Sequence, residues 1–348
     1  MSQTVAARHP RFRSFRWFDH YKRPPSEYEE ITVFYSTWGI PYLADQTTSS
    51  IVSPIPFHMN PDYTPIHGFM KEHTAWKHTG WENFRDPHQV YYKTYNEMQW
   101  EAEHSLNDVL STARSLNLFS HLDSRYTAFL TRILPPQRYY VWSLVKALFY
   151  VGNRVPSSPI NACVVFQLAD GLREVQRCIV WSEEFHASAE QAKHAWLTDS
   201  AWQPLREYGE RLMALQDWGE ILVAGNAVLA PLLHALFNVL VANIAISFGD
   251  LATAHMLRSL AEDQRRRRDW TNALLTFIQE DTTHGAENRA INQIWVNNWA
   301  PLAARATRAL LPLFAEFVDT QTLQHEIFED WGKSLENAHL LIAKEVLR

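Results

Sequence analysis

Cysteine is scarce in this chain, since Cys163 and Cys178 are its only two. Two cysteines cannot build a disulfide framework. They lie fifteen residues apart in a segment with a helical pattern, and the helical rise would separate them by about 22 Å, which is beyond bonding reach. This scarcity favours a reducing, cytoplasmic setting.

The chain also lacks a large excess of charge of either sign, because 32 basic residues face 38 acidic ones among 348 residues. Such a balance gives no bulk field that would attract nucleic acid or an anionic membrane. Four consecutive arginines occupy 265–268, but Glu262, Asp263 and Asp269 flank them, and four consecutive helical positions point in four directions. Small molecules or other proteins are therefore the expected partners, and nucleic acid is not.

No secretory signal is expected, because the first 25 residues contain arginines but no apolar core segment. A longer uncharged stretch lies at 221–249, where His234 is the only ionisable residue. Its length would cross a bilayer, yet it carries Asn226, Pro231, Asn238 and Asn243 and ends without aromatic or basic anchors. We interpret it as the buried core helix of a bundle, and a membrane-associated protein is kept as an alternative.

Strand patterns are nearly absent, and helical ones dominate the chain after residue 85. Residues 1–85 hold eight prolines among many aromatic residues, which predicts an extended arm lying on the helical body or on a partner. Asp86 and Pro87 suit an N-cap and a first helical position, and apolar residues then recur at helical spacing. Further helices are predicted at about 123–151 (interrupted at Pro135 and Pro136), 159–186, 188–197, 201–247, 250–280, 285–317 and 322–347. The prediction is an arm over 1–85 and an all-α domain over 86–348.

Three E-x-x-H pairs raise the question of a di-iron centre, because this spacing offers a carboxylate and an imidazole on one helix face. They are Glu101/His104, Glu183/His186 and Glu336/His339. A bundle di-iron site needs two such pairs and a glutamate from each of two further helices. No glutamate occurs between Glu103 and Glu174, so the second predicted helix has none to offer. We therefore expect the three pairs to lie on exposed surfaces or subunit contacts.

The nearest approach to half of a metal site combines Glu220 with Glu262 and Arg265 on successive predicted helices. Arginine stays protonated and offers only donors, so it cannot bind a cation. A guanidinium beside two carboxylates would take the positive role of a metal. The hypothesis is a degenerate metal site closed by an ion pair, and it requires Arg265 to lie near Glu220. Glycine-rich phosphate loops and a G-x-S-x-G motif are absent from the sequence.

Five segments together resemble the β subunit of the hydroxylase from soluble bacterial multicomponent di-iron monooxygenases, the group that oxidises toluene, phenol, alkenes, propane and methane. They are RPPSEYEEITVFYST (23–37), WENFRDPHQVYYKTYNEMQ (81–99), SPINACVVFQLADGLR (158–173), AWLTDSAWQPLREYGERLMALQDWGE (195–220) and AEDQRRRRDW (261–270). As an ordered set they are fairly specific, and none is a catalytic signature. The resemblance covers most of the chain.

The resemblance implies a ferritin-like bundle without iron ligands, so no catalytic or metal-binding residue is assigned here. It implies a structural partner of a di-iron α subunit in an (αβγ)₂ hydroxylase, with a coupling protein and an NADH-fed reductase in the wider system. Aromatic residues of the arm and the first helix are the expected interface candidates: Trp17, Phe18, Tyr28, Trp81, Tyr91 and Tyr95. Two alternatives stay open, a stand-alone di-iron oxygenase or oxidase whose ligands include Glu101 and His104, and an iron-free helical interaction protein.

Overall fold

The computed structural model describes Ser26, Tyr28, residues 73–155 and residues 157–347. Its helices are α1 (Tyr92–Ser115), α2 (Ser124–Gly152), α3 (Ser158–Glu184), α4 (Ala189–Thr198), α5 (Gln203–Ala214), α6 (Trp218–Ser247), α7 (Leu251–Gln279), α8 (Gly285–Leu310), α9 (Thr320–Asn337) and α10 (Lys344–Leu347). No strand occurs in this part of the chain. The prediction of an all-α body is confirmed.

The longest helices surround α6, which forms the centre of the core. Residues 221–233 of α6 are buried apart from Pro231, and its neighbours include α2, α7, α8 and α9. The pair α2 and α3 packs along most of its length. The largest fully buried side chains include Trp181, Trp202, Trp218 and Trp331, so many of the tryptophans serve this core.

Helix α6 is the one described helix long and apolar enough to cross a membrane, and 61% of its most apolar window is buried within the protein. That burial is the pattern of a core helix, as the sequence interpretation expected. Two parts of α6, Val223–Leu229 and His234–Leu240, are π-helical. Such wide turns are rare and occur mostly as short insertions within α-helices.

The first helix begins later than predicted, at Tyr92 instead of Pro87. The Asp86 carboxylate accepts hydrogen bonds from the amides of His88 and Val90, and Gln89 has a positive φ of 49°. Asp86 therefore closes a turn before the helix, and the prediction that it caps α1 was wrong. The same side-chain chemistry serves both structures, which is why the sequence pattern misled.

Three other helices differ from the predictions. Helix α2 continues through Pro135 and Pro136. The predicted 201–247 helix is divided before Asp217, whose side chain caps α6 by accepting from the amides of Gly219 and Glu220. The predicted 322–347 helix ends at Asn337, and His339 follows with a φ of 58°.

Residues 73–85, the described end of the predicted arm, lie on the helical body. Trp76 is buried and donates from its indole Nε1 to Asn292 Oδ1 at 2.6 Å. The Thr79 amide and hydroxyl both donate to Asp281 Oδ2. This segment is therefore fixed to α8 and to the loop before it by hydrogen bonds as well as by apolar contact.

Candidate functional site

All three E-x-x-H pairs lie on the surface, as the sequence analysis expected. Glu101 and His104 are exposed on α1, where His104 stacks on Trp100 and faces Asp108 at 3.6 Å. The other two pairs, Glu183/His186 and Glu336/His339, are also exposed, and both histidines lie just beyond a helix end. None of these pairs converges with another carboxylate into a ligand set among the described residues.

Glu220, Glu262 and Arg265 do not form the predicted buried ion-pair cluster. Arg265 pairs with Glu262 at 2.9 Å, one turn away on the same helix, and the two side chains are 48% and 63% exposed. Glu220 Oε1 instead accepts a 2.7 Å hydrogen bond from Trp299 Nε1. Burial raises the pKa of Glu220, with the Trp299 hydrogen bond opposing the shift. The hypothesis was wrong in its residues, because Arg265 points outward from α7.

The buried charges instead gather where α1, α3 and α7 meet. Arg173 donates from Nε to Glu103 Oε1 at 2.7 Å and from Nη1 to Asp263 Oδ2 at 2.5 Å. Arg177, one turn further along α3, donates from Nε to Glu103 Oε1 at 3.0 Å and from Nη2 to Glu103 Oε2. Arg173, Arg177 and Asp263 are buried. Arg173 of α3 thus joins a carboxylate of α1 to one of α7, and Arg177 adds a second contact from α3 to α1.

The same cluster extends through Arg266, which lies one helical turn from Asp263. Arg266 Nη2 donates to Asp263 Oδ1 at 2.5 Å and to Asp170 Oδ1 at 3.2 Å. From α1, Tyr95 Oη and Gln99 Nε2 each donate to Asp170 Oδ1 at 2.8 Å. We call Glu103, Asp170, Arg173, Arg177, Asp263 and Arg266 the charge cluster.

The surroundings of the charge cluster shift the pKa values of its carboxyl groups in different directions. Burial raises the pKa of Glu103, but hydrogen bonds from Arg177 and Arg173 outweigh it and hold that pKa below its usual range. Burial and the neighbouring Asp263 raise the pKa of Asp170 to about 7, against the opposing effect of Arg266. Buried ion pairs are tolerated only where such hydrogen bonds compensate desolvation.

The side chains of the charge cluster do not provide the ligands of a di-iron site. Guanidinium groups occupy the space between the carboxylates and cannot bind a cation. No histidine belongs to the cluster, although bundle di-iron sites use one from each of two helices. No group of three or more His, Cys, Asp or Glu side chains within the described ranges is arranged to hold a metal ion.

Of the aromatic residues predicted to lie at a subunit interface, some fall outside the described residues and others are buried. Trp17 and Phe18 lie outside the described residues. Tyr28, Tyr91 and Tyr95 are buried within this chain, with 3%, 6% and 7% of their surface exposed. Buried rings cannot supply much contact area to another subunit, so these three assignments require correction.

The predicted candidate Trp81 and two further aromatic side chains, both of α1, are more exposed. Trp81 is partly buried, with its ring centroid 5.5 Å from that of Trp218. The exposed aromatic side chains of α1 are Tyr92 (73%) and Trp100 (67%). The outward face of α1 therefore carries Tyr92 and Trp100, whereas Tyr95 faces the core.

The described part of the protein is a bundle of long helices, with buried ion pairs where α1, α3 and α7 meet. The family model described as Methane/Phenol/Alkene Hydroxylase matches residues 60–282. The chain belongs to this family.

Curated relatives within the family carry names of hydroxylase components. The chain is 27% identical to the hydroxylase component subunit beta of the toluene-4-monooxygenase system of Ectopseudomonas mendocina, over 75% of this chain and 81% of that one. It is 27% identical to the hydroxylase component small subunit of propane 2-monooxygenase of Rhodococcus jostii (strain RHA1), over 72% and 70%. It is 23% identical to the methane monooxygenase component A beta chain of Methylosinus trichosporium, over 70% and 65%.

Solved structures support the same assignment of the fold. A chain of toluene 4-monooxygenase with toluene bound in its resting active site superposes with a TM-score of 0.70 and 25% identity, covering 85% of this chain and 96% of that one. A chain of xenon-pressurised phenol hydroxylase from Pseudomonas sp. OX1 gives a TM-score of 0.74 at 20% identity, covering 92% of both. The predicted ferritin-like bundle and the predicted hydroxylase family are confirmed.

Proposed function

We propose that this chain is the non-catalytic β subunit of the hydroxylase of a multicomponent monooxygenase. Support comes from the names of its relatives, which are hydroxylase beta or small subunits of systems named for toluene, propane and methane. The oxidised substrate would be a small hydrocarbon or aromatic compound, with O₂ and NADH consumed by the complete system. The chain would support the α subunit and the (αβγ)₂ assembly.

The single observation that carries this proposal is the arginine content of the charge cluster. Arg173, Arg177 and Arg266 neutralise Glu103, Asp170 and Asp263 by direct contact. An iron atom would have to compete with permanently protonated guanidinium groups for these oxygens. We therefore assign the di-iron centre to the α subunit and none to this chain.

The charge cluster would instead give the bundle a fixed helix register. The ion pairs of the charge cluster join α1, α3 and α7 and form only when these helices keep their positions along one another. A helix that shifted along its axis would leave a buried charge unpaired, which costs several kcal/mol. A rigid bundle is suited to present a constant surface to a partner. Its proposed partners are the α and γ subunits, with a coupling protein and a reductase acting on the assembly.

The proposed contact surface includes the exposed aromatic residues of α1. Tyr92 and Trp100 are largely exposed, and Met98 lies between them with 39% of its surface exposed. Aromatic residues and methionine are enriched at subunit interfaces. The predicted arm, including Trp17 and Phe18, is proposed as a further contact. A cytoplasmic location fits the two unpaired cysteines, both of which are buried.

Iron analysis tests this function directly. The full chain is purified alone and together with an α-type subunit, loaded anaerobically with Fe(II), desalted and assayed for iron per polypeptide. We expect iron only in the complex, and we expect the isolated chain to aggregate because an obligate interface is exposed. About two irons on the isolated chain would overturn the proposal, and a clean, stable monomer would count against its structural role.

A further inference from the structure

A cavity of about 450 Å³ lies between α6, α7 and α9, beside the charge cluster but separate from it. Ala235, Val239, Leu323 and Ile327 form an apolar part of its wall on the α6 and α9 sides, beside polar residues of the same helices. The α7 side contributes Gln264, Arg265, Arg267 and Arg268. Volumes of 300–1,000 Å³ are typical of small-molecule sites, so this cavity has the size of a binding site.

Arg267 differs from the arginines on either side of it. Arg266 bonds to Asp170 and Asp263, and Arg268 lies 3.5 Å from Asp269. Within the described ranges Arg267 makes no hydrogen bond and no ion pair, and it lines both the large cavity and a smaller one of about 30 Å³. Burial lowers the pKa of Arg267, and the nearby Glu174 only partly offsets this. A guanidinium in such a place lacks a bonded anion.

Two other polar atoms of lining residues have no partner among the described residues, the indole Nε1 of Trp331 and Nδ1 of His234. Both atoms are closed to solvent, so neither opens onto the cavity. Arg267 is therefore the unpaired donor at the cavity wall, and it requires an acceptor that the described chain does not supply.

We propose that this cavity binds a small organic carboxylate with an apolar body. The carboxylate would accept hydrogen bonds from the Arg267 guanidinium, and the body would lie against Ala235, Val239 and Ile327. A guanidinium matches a carboxylate in a planar, two-bonded geometry, and apolar walls favour a body that water solvates poorly. Nothing in this inference depends on the proposed hydroxylase function.

Other occupants fit the cavity less well. An uncharged hydrocarbon would leave the Arg267 guanidinium without an acceptor, and a divalent cation would be repelled by Arg267. Water alone could satisfy the polar end but would lie against the apolar walls without a partner. The acidic residues near the cavity, Glu326 and Asp330, are exposed at its rim and so leave the interior positive.

Calorimetric titration of benzoate into the full-length protein, with any subunits that copurify, tests the site. Toluene serves as the same ring without the charge, and inorganic phosphate as an anion without the apolar body. We expect saturable benzoate binding at one site per chain and at least about tenfold weaker binding of toluene and phosphate. The variant Arg267→Gln should weaken benzoate binding by about tenfold or more.

Two further variants make the result specific to this cavity. Arg265→Gln removes a rim arginine that is paired with Glu262, and it should change the dissociation constant less than about twofold. Ala235→Phe fills the wall while leaving Arg267 in place, so it should abolish binding even if Arg267→Gln folds poorly. Benzoate binding unchanged in both Arg267→Gln and Ala235→Phe, or toluene binding as tight as benzoate, overturns the proposal.

Discussion

Arg173 of α3 reaches Asp263 of α7 with a 2.5 Å hydrogen bond from Nη1, while its Nε bonds Glu103 of α1. One side chain thus ties three helices together inside the protein. Removing it would leave Glu103 with Arg177 alone and Asp263 with Arg266 alone, in a site where Arg173 is only 7% exposed. A break of this kind is far more costly than the loss of a surface ion pair.

We therefore expect Arg173→Ala to lower the free energy of unfolding by about 3–5 kcal/mol. Urea denaturation measures the change. The matched control is Arg114→Ala, which removes the partner of Glu184 at a site where Arg114 is 52% exposed, and it should cost less than about 1 kcal/mol. Equal effects of the two variants would contradict a stabilising charge cluster.

Glu220 should act as a hydrogen-bond acceptor for Trp299 and not as a charge. Because its pKa is raised by burial, a neutral acceptor is a good substitute. Glu220→Gln should change the free energy of unfolding by less than about 1 kcal/mol, and Glu220→Ala should lower it by about 1–3 kcal/mol because the indole N–H loses its partner. Thermal unfolding of both variants checks this, and a larger loss in Glu220→Gln would show that the negative charge matters.

The lowered pKa of His234 predicts that the folded protein loses stability in acid. Burial and the neighbouring Arg267 lower the pKa of His234 to about 4, with Arg268 adding to the decrease and Asn238 and Glu262 opposing it. Below its ordinary pKa of about 6.5 the unfolded chain gains a proton that the folded chain does not bind. The free energy of unfolding should therefore fall as the pH drops from about 6.5 to about 4, by at most about 3 kcal/mol from this residue.

The variant His234→Gln isolates that contribution, because the other titrating groups are unchanged. Urea midpoints are measured at several pH values between 4 and 7 for both proteins. As the pH falls, we expect the parent to lose more stability than the variant. Parallel pH profiles would rule out a depressed pKa for His234.

Alanine substitutions at two glycines should have different effects on the free energy of unfolding. A Cβ at Gly285 would lie 2.3 Å from the carbonyl oxygen of Gln279, whereas one at Gly332 would meet only Leu347 at 3.5 Å. Gly285→Ala should cost about 2–3 kcal/mol through overpacking, and Gly332→Ala should be neutral or stabilising by up to about 1 kcal/mol through helix propensity. Differential scanning calorimetry of the pair checks both, and a stabilising Gly285→Ala would contradict this close approach.

Trp100 tests the proposed contact surface of α1. Because it is 67% exposed, Trp100→Ala should leave the free energy of unfolding within about 0.5 kcal/mol of the parent. We expect the same variant to reduce copurification with an α-type subunit. Ile294→Ala, at a 57% exposed position of α8, is the control and should copurify normally. Normal assembly of Trp100→Ala would place the interface elsewhere.

The helical body could be predicted because the apolar residues recur at helical spacing and strand patterns are nearly absent. The start of α1 could not, because Asp86 stabilises a turn with the same carboxylate that would cap a helix. Helix α2 was predicted to be interrupted at Pro135 and Pro136, yet it continues through both, and both are buried. Tertiary packing there outweighs the local preference.

The charge cluster was missed because arginines and carboxylates in helices usually face solvent. A signal was nevertheless present in α3. Asp170, Arg173 and Arg177 recur at steps of three and four, on the same face as the buried Trp181, and charges within an apolar stripe indicate buried pairs. The sequence does not specify which carboxylate each arginine reaches, since that depends on the relative heights of α1 and α7.

The two π-helical parts of α6 have a consequence for how the chain can change length. A π turn holds one more residue in each hydrogen-bonded ring than an α turn, so each segment accommodates a single inserted residue within an otherwise continuous helix. Loss of one residue from Val223–Leu229 or His234–Leu240 could be absorbed by tightening to α geometry, with the flanking faces kept in place. Single-residue gaps in alignments of relatives should therefore concentrate within these fourteen positions of the central helix.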